Sequence, residues 1–191
     1  MGILEALFGK DDMGEGMQRL LQGEHEEAME RFTRVLERDP GNAQAWFHRG
    51  MAYLESGRPE AAIRDFTESL RRKEDPDTYY NRAMAWLDLR DLERALADLD
   101  AALRLDPEDA EAWNMRAIVE AERGDSARAL QDIERAIERG HPFAGAPGGS
   151  GGGPAGSPGG MAAAEGTGGG GAGGAARPGV EEALQRLGER G

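Results

Sequence analysis

A pattern returns every 33 to 34 residues over positions 9–142 of the chain. A period that short leaves few ways to fold, because one unit cannot bury an apolar face alone and must stack on its neighbours. Small residues recur at Gly16, Gly50, Ala83 and Ala117, and a second small series at Ala28, Ala62, Ala95 and Ala129. Bulky apolar residues recur at Phe32, Phe66, Leu99 and Ile133, and aromatics at Trp46, Tyr79 and Trp113. Prolines close the units at Pro40, Pro76, Pro107 and Pro142. Each unit reads as two amphipathic helices joined by a turn, with Gly23, Gly57 and Gly124 at three of the turns and Arg90 at the other. The small residues let paired helices approach, the bulky ones fill the space between units, and proline stops the second helix.

The stretch Trp46-Phe47-His48-Arg49-Gly50-Met51-Ala52-Tyr53, followed by Gly57, Ala62, Phe66 and a proline-terminated end, resembles the tetratricopeptide repeat family and its W-x2-L-G-x2-Y…A-x3-F…P pattern. Arg49 stands where that pattern has Leu. Four repeats are covered, at about 9–42, 43–75, 76–109 and 110–142. Repeat one departs most: Asp12 takes the Trp place, Arg19 takes the Tyr place, and Gly14 and Gly16 weaken its first helix. The resemblance implies an all-α, right-handed solenoid of four helix-turn-helix repeats.

Charge follows the same register. Arg49 and Asp65, Arg82 and Asp98, and Arg116 and Asp132 are each 16 residues apart, and in repeat one the signs exchange at Glu15 and Arg31. This spacing joins the first helix of a repeat to its second, so an ion pair is expected across each hairpin.

The remaining composition excludes several function classes. There is no cysteine, which removes disulfides, thiol nucleophiles and Cys-ligated metals. The histidines His25, His48 and His141 have no metal-motif spacing. A net charge of −13 repels phosphate backbones, so nucleic acid is not an expected partner. No apolar run reaches the roughly 18 to 20 residues that span a bilayer. The start of the chain has no basic region before its short apolar stretch, and it fits neither a signal peptide nor an acylation signal. No phosphate-binding glycine loop or nucleophile motif is present. A soluble, cytoplasmic, non-enzymatic protein without cofactor or metal is the expectation.

By resemblance, the first helices line a concave groove that receives a protein segment. The matching positions are Met13, Phe47, Tyr80 and Asn114; Met17, Met51, Met84 and Ile118; and Leu20, Leu54, Leu87 and Ala121, with His48 and Asn81 beside them. Methionine is flexible and polarizable and suits adaptable apolar contacts. The same side chains could instead pack first helix against first helix. Glu55, Asp77, Asp88, Glu111 and Glu122 form an acidic rim. Family members that clamp a partner's C-terminal carboxylate use Lys, Asn and Arg. The matching positions here are Met13, Met17, His48, Asp77 and Asn81, or, one repeat later, Phe47, Met51, Asn81, Glu111 and Met115. The expected partner is therefore a protein segment with apolar and Lys or Arg residues, held by an adaptor or scaffold. The alternative is a holding chaperone for an apolar secreted or membrane-inserting client.

The ends read differently. Residues 1–8 place Ile3, Leu4, Leu7 and Phe8 on one side and cap or extend repeat one. Twenty of the 29 glycines lie from Gly140 onward, and residues 143–178 are almost wholly Gly, Ala, Pro and Ser, the composition of a disordered linker. Residues 179–191 carry a short helical stripe of Val180, Ala183, Leu184 and Leu187. That stripe is expected to dock on its own solenoid, at the edge formed by Leu130, Ile133 and Ile137 in preference to the groove, where it would act as an autoinhibitor.

Overall fold

The computed structural model describes residues 11–141. Residues 1–8, Pro142, the linker and residues 179–191 lie outside the described residues. Eight helices follow one another: α1 (Asp12–Leu21), α2 (His25–Arg38), α3 (Ala43–Glu55), α4 (Pro59–Arg72), α5 (Pro76–Asp88), α6 (Leu92–Leu105), α7 (Ala110–Arg123) and α8 (Ser126–Glu138). They pack as four hairpins, each second helix also lying against the first helix of the next repeat, which is the expected all-α solenoid.

Local chemistry fixes the helix ends. Asp11, Asn42, Asp75, Asp91, Asp109 and Asp125 are N-caps whose side chains accept hydrogen bonds from first-turn amides. All four hairpin turns close alike. The amides of Glu24, Arg58, Asp91 and Asp125 donate to the carbonyls of Arg19, Tyr53, Trp86 and Glu120 at 2.9–3.0 Å. The residue before each of these amides is left-handed. It is glycine in three turns and Arg90, at φ 61°, in the other.

The prolines do two different jobs, which corrects the single role expected of them. Pro40 and Pro107 follow the ends of α2 and α6 and present carbonyls to the next repeat. Trp46 Nε1 and Arg72 Nε both donate to the Pro40 carbonyl, at 2.9 and 2.8 Å. Trp113 Nε1 and Arg139 Nε donate to that of Pro107 at 2.8 and 2.7 Å. Pro76 instead opens α5, where its missing amide hydrogen costs nothing.

The close approach within each hairpin rests on size complementarity. A methyl group built on Gly16 would sit 2.7 Å from Phe32 Cε1, and one on Gly50 2.8 Å from Phe66 Cε1. Both phenylalanines are fully buried and have no room to retreat. In repeat three Ala83 meets the smaller Leu99 in one cluster. Glycine is thus required where the partner is Phe, and alanine fits where it is Leu.

Ion pairs form at the expected register in all four repeats, and the recurring arginine of repeats two to four does more than that register predicts. Arg49 meets Asp65 through Nε and Nη2 at 2.6 and 3.1 Å, and donates through Nη1 to Thr33 Oγ1 at 3.0 Å. Arg82 holds Asp98 and reaches Thr67, and Arg116 holds Asp132 and reaches Asp100. Thr33, Thr67 and Asp100 lie on the second helix of the preceding repeat, so each guanidinium joins three helices.

The terminal repeats replace aromatics with carboxylates. In repeat one Asp12, at the Trp place, is 2 % exposed and pairs with Arg31 at 3.1 Å and Arg38 at 2.7 Å. Burial pushes its carboxyl up, but the hydrogen bonds from Arg31 and Arg38 outweigh this and hold it below the usual range. Arg31 also takes the expected Glu15, at 2.8 Å. In repeat four Glu120 occupies the place of Tyr53 and Trp86, a departure the sequence comparison passed over. Arg94 stacks on Trp86 at 4.7 Å, and its counterpart Arg128 pairs with Glu120 at 3.6 Å.

Two outcomes follow. Gly50→Ala gains about 0.5–1 kcal/mol of helix propensity but overpacks against Phe66 at a cost of about 1–3 kcal/mol. Chemical denaturation is expected to show Gly50→Ala destabilising the wild type and stabilising the Phe66→Leu background; the same sign in both would refute the size rule. Arg82→Ala leaves Asp98 buried without its partner and is expected to cost about 2–3 kcal/mol, somewhat under a fully buried pair because Arg82 is partly exposed. Arg82→Met with Asp98→Leu is expected to recover most of that loss.

Candidate functional site

The first helices of repeats two and three, α3 and α5, lie side by side and leave a cleft of about 340 Å³ between them. Met51 and Leu54 of α3 and Tyr80 and Met84 of α5 line it, with Asn81, Glu55 and Asp88 at its polar margin. The helical period explains the grouping: positions three and four apart on each helix present one face, and the two hairpins repeat the register. The lining holds two carboxylates and no Lys or Arg.

The other sequence-predicted residues divide. Phe47 turns toward the core, its ring 5.9 Å from Phe66. His48 lies between Phe47 at 5.1 Å and Phe32 at 5.6 Å. Burial lowers the His48 pKa, so the imidazole is neutral and serves as an aromatic filler. Met13 and Leu20 pack beside Phe32, and Leu87 beside Leu96 and Leu99. Met17 is exposed, and Asn114 and Ile118 of α7 are half-buried outside the cleft. The stripe therefore both packs helices and lines the cleft: core on its inner side, accessible around Met51 and Met84.

All five acidic rim residues are exposed. Burial pushes the Glu55 carboxyl up, with His25 Nδ1 3.5 Å away pulling it back. Partial burial, then the like charges of Asp75, Asp109 and Asp106, push Asp77 up. Glu122 faces Arg90 at 3.6 Å. Asn81 donates to the Asp77 carbonyl at 2.8 Å, which fixes its amide along the helix. The place of His25 beside Glu55 was not foreseen, because their separation of 30 residues matches no helical or repeat spacing. Among the described residues no group of three or more His, Cys, Asp or Glu side chains is placed to hold a metal ion, and no helix is long and apolar enough to cross a membrane.

Hsc70-interacting protein 1 of Drosophila melanogaster is 33% identical over 113 residues, which cover 58% of this chain and 30% of that protein. The chain thus spans less than a third of the length of that relative. Among solved structures, MamA from Desulfovibrio magneticus RS-1 superposes with a TM-score of 0.65 at 19% identity, over 71% of this chain and 78% of that one, a likeness of fold alone. The first repeat domain of Spaghetti (RPAP3), bound to the HSP90 peptide SRMEEVD, gives a TM-score of 0.57 at 25% identity, over 58% of this chain and 89% of that one. The family model for the tetratricopeptide repeat matches residues 14–77 and 80–146. That match runs through all four hairpins and well over half of the sequence, and the chain belongs to the tetratricopeptide repeat family.

Proposed function

We propose that this chain is a non-enzymatic protein-interaction module, an adaptor or scaffold, that holds an amphipathic segment bearing apolar and Lys or Arg residues. The reading rests on one observation: the cleft between α3 and α5 combines a floor of Met51, Leu54, Tyr80 and Met84 with Glu55 and Asp88 and has no Lys or Arg in its lining. Apolar side chains of a partner helix would fill the floor, and its flanking cations would meet the carboxylates. RPAP3 and Hsc70-interacting protein 1 support a protein partner of some kind. The peptide bound by RPAP3 ends in acidic residues, however, and an acidic margin opposes such a tail.

A panel of helical peptides with one apolar face and varied charge tests the proposal by fluorescence anisotropy. Basic peptides are expected to bind and SRMEEVD is not. Met51→Glu with Met84→Glu is expected to weaken binding at least tenfold, about 1.4 kcal/mol or more, while circular dichroism remains helical. Preference for acidic peptides, or binding that ignores the double substitution, would overturn the reading. Burial raises the Glu55 carboxyl above its usual value, so it loses charge earlier as pH falls. Binding is therefore expected to decline on acidification before ordinary exposed carboxylates protonate, when affinity is followed against pH.

A further inference from the structure

The burial pattern of the second helices breaks at α8. Met29, Ile63 and Leu96 occupy one register position in the first three repeats and are 6–9 % exposed, whereas Leu130, the fourth member, is 45 % exposed. Leu36 and Leu103 are 5–6 % exposed and Leu70 is half-buried, whereas their counterpart Ile137 is 49 % exposed. The following hairpin makes the difference. Ala45 covers Leu36 and Ala52 covers Met29; Ala112 covers Leu103 and Val119 covers Leu96. Each covering pair lies seven residues apart on one helix face, and α8 has no such pair among the described residues.

We infer that residues 179–191 of this same chain cover α8, with Val180 and Leu187 placed over Ile137 and Leu130. Val180 and Leu187 are also seven residues apart, and Leu184 lies between them on the same face. From position 143 to 178 the large apolar side chains are Phe143 and Met161, two isolated residues, so residues 180–187 carry the apolar stripe nearest in sequence to the bare edge. Taking about 5–6 Å times the square root of residue number for a chain of this Gly-rich composition, the 36 residues of 143–178 would span roughly 30–36 Å. The 13-residue α8 is about 20 Å long, so the tether reaches all of it. Tethering gives an effective concentration of order millimolar, far above what a second copy supplies at micromolar protein. Glu181 and Glu182 disfavour the acidic cleft as a competing seat. A two-turn helix is marginal alone in water, so the segment gains its structure from the surface it covers. This inference concerns a surface apart from the cleft and stands whether or not the cleft binds a partner.

Hydrogen exchange of the full-length protein, read at residues 180–187, tests it together with thermal melts. Leu130→Asp alters an exposed residue, and Leu184→Asp lies outside the repeats, so neither threatens the solenoid. The amides of 180–187 are expected to exchange at least tenfold more slowly in the wild type than in Leu130→Asp. Both single variants are expected to lower Tm by a similar few degrees, and the double variant by no more. Exchange at free-peptide rates in every variant would overturn the inference. So would protection that survives Leu130→Asp but disappears with Met51→Glu and Met84→Glu, which would seat the segment in the cleft. Protection that rises with protein concentration would assign the edge to a second copy and overturn it as well.

Discussion

A guanidinium offers five donors in a fixed plane, and this solenoid uses that geometry to join its repeats. Arg49, Arg82 and Arg116 each spend two donors on the aspartate of their own hairpin and a third on the preceding repeat. The aspartates Asp65, Asp98 and Asp132 are almost fully buried, so the paired carboxylate is both satisfied and immovable. One side chain thus sets the hairpin's internal spacing and its position against the previous one. Lysine, with a single point charge, could not make all these contacts.

The ends of the array show what this joint requires. No repeat precedes repeat one among the described residues, and there the arginine lies on the second helix as Arg31, facing Asp12 and Glu15 on α1. Asp12 replaces a tryptophan, yet the arginine that stacks on that ring elsewhere, Arg72 or Arg139, has its counterpart in Arg38 and stays in place. Glu120 makes the same exchange for Arg128 in repeat four. An arginine can be held by the face of a ring or by a carboxylate. At these two places the cation is kept while its partner changes, although repeat three carries Leu105 where the others have Arg38, Arg72 and Arg139.

The candidate site depends on this rigidity. Met51 and Met84 come from different repeats, and their spacing across the cleft is set by how α3 and α5 are joined. The inner part of the same stripe is consumed by that joining: Phe47 and His48 pack on Phe66 and Phe32 and leave the cleft to their neighbours. The family resemblance identified the stripe. It could not separate packing from lining, because both uses demand apolar residues at the same spacing.

Much was legible in the sequence. The 33- to 34-residue period determined the number of hairpins, because a regular recurrence of small, bulky and aromatic residues has one economical arrangement. The 16-residue charge spacing determined the ion pairs, since opposite charges at a shared register meet whenever the helices pair. What depended on tertiary structure were the contacts between repeats and the differences between equivalent positions. The third bond of each arginine, to Thr33, Thr67 or Asp100, joins one repeat to the last and follows from how hairpins stack. The matching of glycine to phenylalanine and alanine to leucine is a matter of a few tenths of an ångström between side chains on two helices. The separate duties of Pro40 and Pro76 follow from where neighbouring helices end and begin. A linear pattern records which residue types recur, but distances between side chains from different helices exist only once those helices are packed.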